Sequence, residues 1–208
     1  MIDSKLITLK NKKKILVLTF PTRLELTSSM LRIQEVYESP EFKNKKGFTV
    51  KEYKNWYTKE YGIFDYYEIW DGFNVPKYAF EHFIKYFPPY SQEECEILMN
   101  YWADDPDYVI AVCKDSDEST LSHELVHALY ALNWQYRWSC RFTLMLLWKD
   151  LINCFKDLLE QKYDWSVLFD ECNAYLVEGF WLPDKINNRS NFFKVKEKLI
   201  KLYETYSK

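Results

Sequence analysis

Glycine is scarce in this chain, four residues in 208, which leaves no composition for long flexible linkers. No apolar run reaches the length of a membrane span, and no N-terminal segment has the apolar core of a signal peptide. Neither sign of charge dominates. Against 31 Asp and Glu stand 28 Lys and Arg, and a net charge of −3 offers no electrostatic case for nucleic acid. The five cysteines (Cys95, Cys113, Cys140, Cys154 and Cys172) are odd in number and lack any C-x-x-C spacing. That favours reduced, mostly buried thiols in the cytoplasm over a disulfide framework or a cysteine zinc site. Histidine is rarer still, at three residues.

What is present is apolar and aromatic. With 48% hydrophobic and 19% aromatic residues, the chain is too rich for disorder and long enough to bury a substantial core. Residues 14–20 and 108–113 are β-rich apolar runs and read as strands, and 63–70 reads as a third. Helical spacing runs from Leu26 to Tyr37. Thr49 and Ser91 each precede a glutamate by three residues and open capped helices. Phe80, Phe83, Ile84 and Phe87 give one apolar helix face, and Cys95, Leu98, Met99 and Trp102 another. Residues 134–138 read as a loop, 143–161 as one long helix, and 190–206 as the last helix, burying Phe193, Val195, Leu199, Leu202 and Tyr203. The expected fold is α+β, mainly helical with a small mixed sheet and six or more helices.

Two of the three histidines stand four apart around a glutamate, in Leu121-Ser-His-Glu-Leu-Val-His-Ala-Leu-Tyr130. On a helix this H-E-x-x-H pattern stacks the imidazoles of His123 and His127 one turn apart, within reach of one metal ion. Glu124 is rotated by about 100°, where it can touch a metal-bound water without being a ligand. Leu121, Leu125, Leu129 and Leu132 form an apolar stripe expected to enter the core, with the histidines on nearly the opposite side. His82 lies beside the apolar face of its own helix and reads as structural.

Catalytic zinc takes three protein ligands and keeps one open position. A third histidine is not available nearby, since Asn133 occupies the position where an extended motif would place it. The third ligand is then a carboxylate on a later helix. In Phe169-Asp-Glu-Cys-Asn-Ala-Tyr-Leu176, the residues Trp165, Leu168, Phe169, Cys172 and Leu176 mark the expected buried face. Glu171 borders that face, and Asp170 points away. Asp164 is better placed as a helix cap, so Glu171 is the first candidate and Glu178, two turns on, the second.

Together these segments resemble the gluzincin-type zinc metallopeptidases, over residues 108–176. The resemblance implies a zincin-like fold with one Zn²⁺ held by His123, His127 and Glu171, with Glu124 as general base in peptide-bond hydrolysis. It also implies that strand 108–112 lies at the cleft edge and pairs with an extended polypeptide substrate. It groups residues 108–208 as the catalytic part, with 1–107 an N-terminal part of unplaced family packed on it in one compact domain. The chain departs from the familiar Asn-Glu-x-x-x-Asp form: Asp170 replaces the asparagine, and Tyr175 stands where the aspartate would. The group that orients His123 is therefore open. An oxyanion needs a second electrophile, and among seventeen tyrosines Tyr175 lies nearest the candidate ligand. Two other readings stand beside peptide hydrolysis: an inactive zincin-like domain that binds a protein partner, and a zinc hydrolase of non-peptide amides or esters. None of them calls for a nucleic-acid or membrane partner.

Overall fold

The computed structural model describes residues 2–39, 41–160, 165–178 and 189–207. They form ten helices and one mixed four-stranded sheet, so the chain is α+β and mainly helical. It divides into two compact units. The first holds Met1–Thr8 and Lys13–Leu121, and the second Leu9–Lys12 and Ser122–Lys208.

The sheet belongs to the first unit. Strand β1 (Asp3–Thr8) pairs antiparallel with β2 (Lys14–Phe20), β2 runs parallel to β4 (Tyr108–Cys113), and β3 (Gly72–Pro76) pairs antiparallel with β4. Every residue of β4 is buried, as an apolar strand hydrogen-bonded on both sides requires. Its central place corrects the expectation that 108–112 forms a cleft edge, because both of its backbone edges are already occupied. The edge strand β1 carries no sequence signal: its side chains are almost all exposed, so no apolar alternation marks it.

Helix α1 (Arg23–Glu38) buries Leu26, Met30, Leu31 and Ile33 in the core of this unit. The capping boxes at Thr49 and Ser91 both form, opening α2 (Val50–Tyr61) and α5 (Gln92–Asp104). The strand expected at 63–70 is not one. Within it, Tyr66–Ile69 is a single helical turn, α3, and Tyr66 alone is fully buried. Its ring packs among Tyr53, Phe64 and Phe73 while its hydroxyl donates to Glu35 Oε1 at 2.7 Å. The aromatic residues there pack on one another around Tyr66 and present no alternating face, so the sheet partner comes later, at β3.

Pro76 closes β3 and caps α4 (Lys77–Tyr86), in which Phe80 and Phe83 are buried. His82 Nε2 contacts Lys45 O at 2.8 Å and its ring lies against Tyr86, a structural role. The buried face of α5 is Glu94, Ile97, Leu98 and Tyr101, one residue out of phase with the expected one, and Met99 and Trp102 are exposed. Arg32 draws Glu94 inward through Nε–Oε1 at 2.8 Å and a second Nη2–Oε2 contact, which sets that rotation.

The second unit is helical. Following α6 (Glu118–Leu132), residues 134–138 are not a loop: Asn133 Oδ1 accepts from the amides of Gln135 and Tyr136 and starts α7 (Trp134–Met145). The helix expected over 143–161 is broken by two i→i−3 bonds, from Leu146 to Thr143 and from Leu147 to Leu144. Helix α8 (Trp148–Glu160) follows, then α9 (Leu168–Glu178) and α10 (Arg189–Ser207). In α10, Phe192 is the buried aromatic, and Phe193 is 49% exposed. The cap expected at Asp164 lies outside the described residues.

Candidate metal centre

Helix α6 supplies both histidines, and it is buried on more sides than an amphipathic stripe provides. Glu124, Val126, His127, Ala128, Leu129 and Tyr130 are all buried, while Leu121, Leu125 and Leu132 are only partly so. The histidine side therefore does not face bulk water. Helix α9 faces it with carboxylates, in the same unit.

The geometry is convergent. The Nε2 atoms of His123 and His127 are 3.0 Å apart. Glu171 Oε2 lies 3.9 Å from His123 Nε2, and its Oε1 lies 3.7 Å from His127 Nε2. Ligand atoms of these three residues all fall within 4.8 Å of one another, so the set could hold a metal ion. Glu124 is not part of this set, though it is close enough for its charge to raise the pKa of both His127 and Glu171.

Each outer ring nitrogen has its own carboxylate. His123 Nδ1 is 2.8 Å from Glu178 Oε2, and His127 Nδ1 is 3.0 Å from Asp170 Oδ1. The second approach is oblique and acts as an electrostatic contact more than a directed hydrogen bond. Asp170 thus does not point away as its place on the wheel implied. The site sector of α9 runs through Asp170, Ala174 and Glu178, an i, i+4, i+8 series with Glu171 beside it. Apolar spacing alone puts Trp165 and Phe169 on the buried face and so hides this sector. Trp165 precedes the helix and is 70% exposed, and the buried residues are Leu168, Cys172, Asn173, Ala174 and Leu176. Glu178, the second candidate for ligand, holds His123 instead. Tyr175 packs its ring edge-on against His123, centroids 4.9 Å apart.

Four carboxylates around two imidazoles make an electrostatic problem in a buried site. Burial lowers the His123 pKa to about 3, helped by the charge on His127. Burial also opposes charge on His127, but Asp170 and Glu171 outweigh it and raise that pKa well above its ordinary value. Burial raises the Glu171 carboxyl to about 7, with His127 pulling it down and Asp170 and Glu124 pushing it up. Of the two facing rings, His127 is thus the one that favours a proton and His123 the one that favours its neutral form. A cation between them satisfies both nitrogens and Glu171 at once.

The donor set fits a borderline divalent ion: two imidazoles and one carboxylate, each imidazole oriented from behind by a carboxylate. No protein-family model matches the chain, and no curated protein and no solved structure is significantly similar to it.

Proposed function

We propose that the chain is a gluzincin-like, zinc-dependent metallopeptidase with a zincin-like fold, acting on polypeptide in the cytoplasm. The observation that carries this reading is the pairing of roles around the two imidazoles. Their Nε2 atoms converge with Glu171, while their Nδ1 atoms face Glu178 and Asp170. Histidines that merely pack or solvate have no need of such opposed partners. All five cysteines are free, which supports a reducing compartment.

His123, His127 and Glu171 would hold the ion. Zinc bound there supplies Lewis acidity, making water nucleophilic near neutral pH and polarising an amide carbonyl. Glu124, buried beside the set and not within it, takes the proton of the attacking water and delivers it to the leaving amine. Glu178 and Asp170 fix the ring orientations and keep both Nε2 lone pairs directed inward. Tyr175 holds His123 from the ring edge, and its hydroxyl is the first choice for stabilising the oxyanion.

Metal content with and without chelator, followed by a mixed-peptide cleavage screen, tests the proposal. Bound zinc with chelator-sensitive cleavage supports it. Bound zinc without cleavage of peptides, amides or esters leaves an inactive zincin-like binding domain. Cleavage confined to non-peptide amides or esters reassigns the substrate.

A further inference from the structure

Helix α7 turns its aromatic side outward. Trp134, Trp138, Phe142 and Met145 recur at helical spacing and are 63%, 50%, 65% and 52% exposed. Leu146 and Trp148 carry the apolar strip through the turn into α8, and both are exposed. The opposite side of α7 is already used, with Tyr136, Cys140, Thr143 and Leu144 buried. At about 100 Å² each, six such side chains offer on the order of 600 Å², the upper end of what a soluble monomer leaves bare.

Charge indicates what covers the strip. Arg137 and Arg141 border it along one side of the helical wheel, Arg141 also donating from Nε to the Tyr130 hydroxyl at 2.7 Å, Lys149 stands at its end, and no aspartate or glutamate occurs from Trp134 to Lys149. The rest of the chain is therefore more acidic than its net −3 indicates. Helix α10 adds to the basic rim, because Asn191 Nδ2 donates to Leu146 O at 3.1 Å and the exposed Lys194 follows one turn later. The Arg141 guanidinium sits 5.8 Å from the Trp138 ring centroid, and that ring lies 5.9 Å from Phe142. Indole and phenyl rings with a cationic rim suit the boundary between acyl chains and phosphate headgroups, where aromatic rings sit at the interface and Lys or Arg meets the phosphates. Among the described residues no helix is long and apolar enough to cross a membrane, so such contact is peripheral.

We propose that α7 and the start of α8 form a docking surface for an anionic lipid bilayer. This revises the expectation of no membrane partner, which rested on the lack of a spanning segment, and it does not depend on the metal centre.

Co-sedimentation of the full chain with vesicles of phosphatidylcholine, with and without phosphatidylserine, tests it. Binding should require phosphatidylserine and weaken at high salt. Arg137→Gln with Lys149→Gln should lower partitioning roughly 25-fold, about fivefold for each charge removed. Trp138→Ser with Phe142→Ser should lower it at least about tenfold, metal content being unchanged. If the aromatic pair fails to fold, the Arg137 and Lys149 pair decides, since those side chains flank the packed face. No binding to either vesicle, or equal binding to both, overturns the proposal. So does concentration-dependent self-association that the aromatic variants abolish while lipid binding is absent, which gives the surface to a second copy of the chain.

Discussion

His123 Nε2 and His127 Nε2 stand 3.0 Å apart, each ring held from its far nitrogen by a carboxylate of α9. If both far nitrogens carry hydrogens, the facing nitrogens are both lone-pair acceptors, and something positive must lie between them. The Glu171 carboxylate completes a third side of that space. A metal ion bound there would compete with a proton on His127 and with one on Glu171.

That competition predicts the pH dependence of metal affinity. Because Glu171 titrates at about 7, its proton competes with metal below that pH, and affinity should fall roughly tenfold per pH unit for each proton displaced. Competition titrations against a chelator of known affinity, run on either side of neutrality, measure this. Affinity flat from pH 8 to pH 6, about two units, would contradict the proton linkage.

The orienting carboxylates should matter without being essential. Asp170→Asn and Glu178→Gln each remove a charge behind one imidazole, and each should weaken metal affinity about 10–100-fold. His123→Ala and His127→Ala should abolish tight binding. Equal losses for both classes would mean that Asp170 or Glu178 is itself a ligand.

In the proposed mechanism Glu124 serves the chemistry and not the coordination. Glu124→Gln should retain the metal and the fold and lose at least about 10²-fold of hydrolytic rate on a verified substrate. Single-turnover rates with metal content measured on the same sample check this.

Glu35 gives the first unit a pH-dependent stability. Burial raises its carboxyl to about 7, partly offset by bonds from Tyr66 and Tyr53. The folded pKa lies above the unfolded value, so this contribution is complete at low pH and is lost as pH rises through 7. The wild-type chain should lose about 3 kcal/mol from this group between pH 4.5 and 8, while Glu35→Gln removes the dependence and is the more stable at pH 8. Denaturant melts of both proteins across that range check the sign.

Much of the architecture was legible in the sequence. The strands 14–20 and 108–113 appear with their expected ends, because continuous apolar β-branched runs leave little alternative to a buried strand. The capping boxes are local chemistry and formed as read. What failed depended on tertiary partners. Arg32 rotated α5 by drawing Glu94 inward, and a tight turn at Leu146 split a helix that its apolar spacing alone continues. The convergence of His123, His127 and Glu171 was readable from spacing and residue type, whereas the places of Asp170 and Glu178 were not. Their place depends on which side of α9 faces α6: the Asp170, Ala174 and Glu178 sector does, whereas the buried Asn173 turns to Tyr136 of α7.

The central claim is that His123, His127 and Glu171 form one metal site. Elemental analysis of purified wild-type protein beside Glu124→Gln and Glu171→Ala tests it most directly. The account predicts about one zinc per chain in the first two and a loss of at least about tenfold in occupancy for Glu171→Ala under the same chelator challenge. Wild-type protein that takes up no metal, or Glu171→Ala that holds it as tightly as wild type, would contradict it.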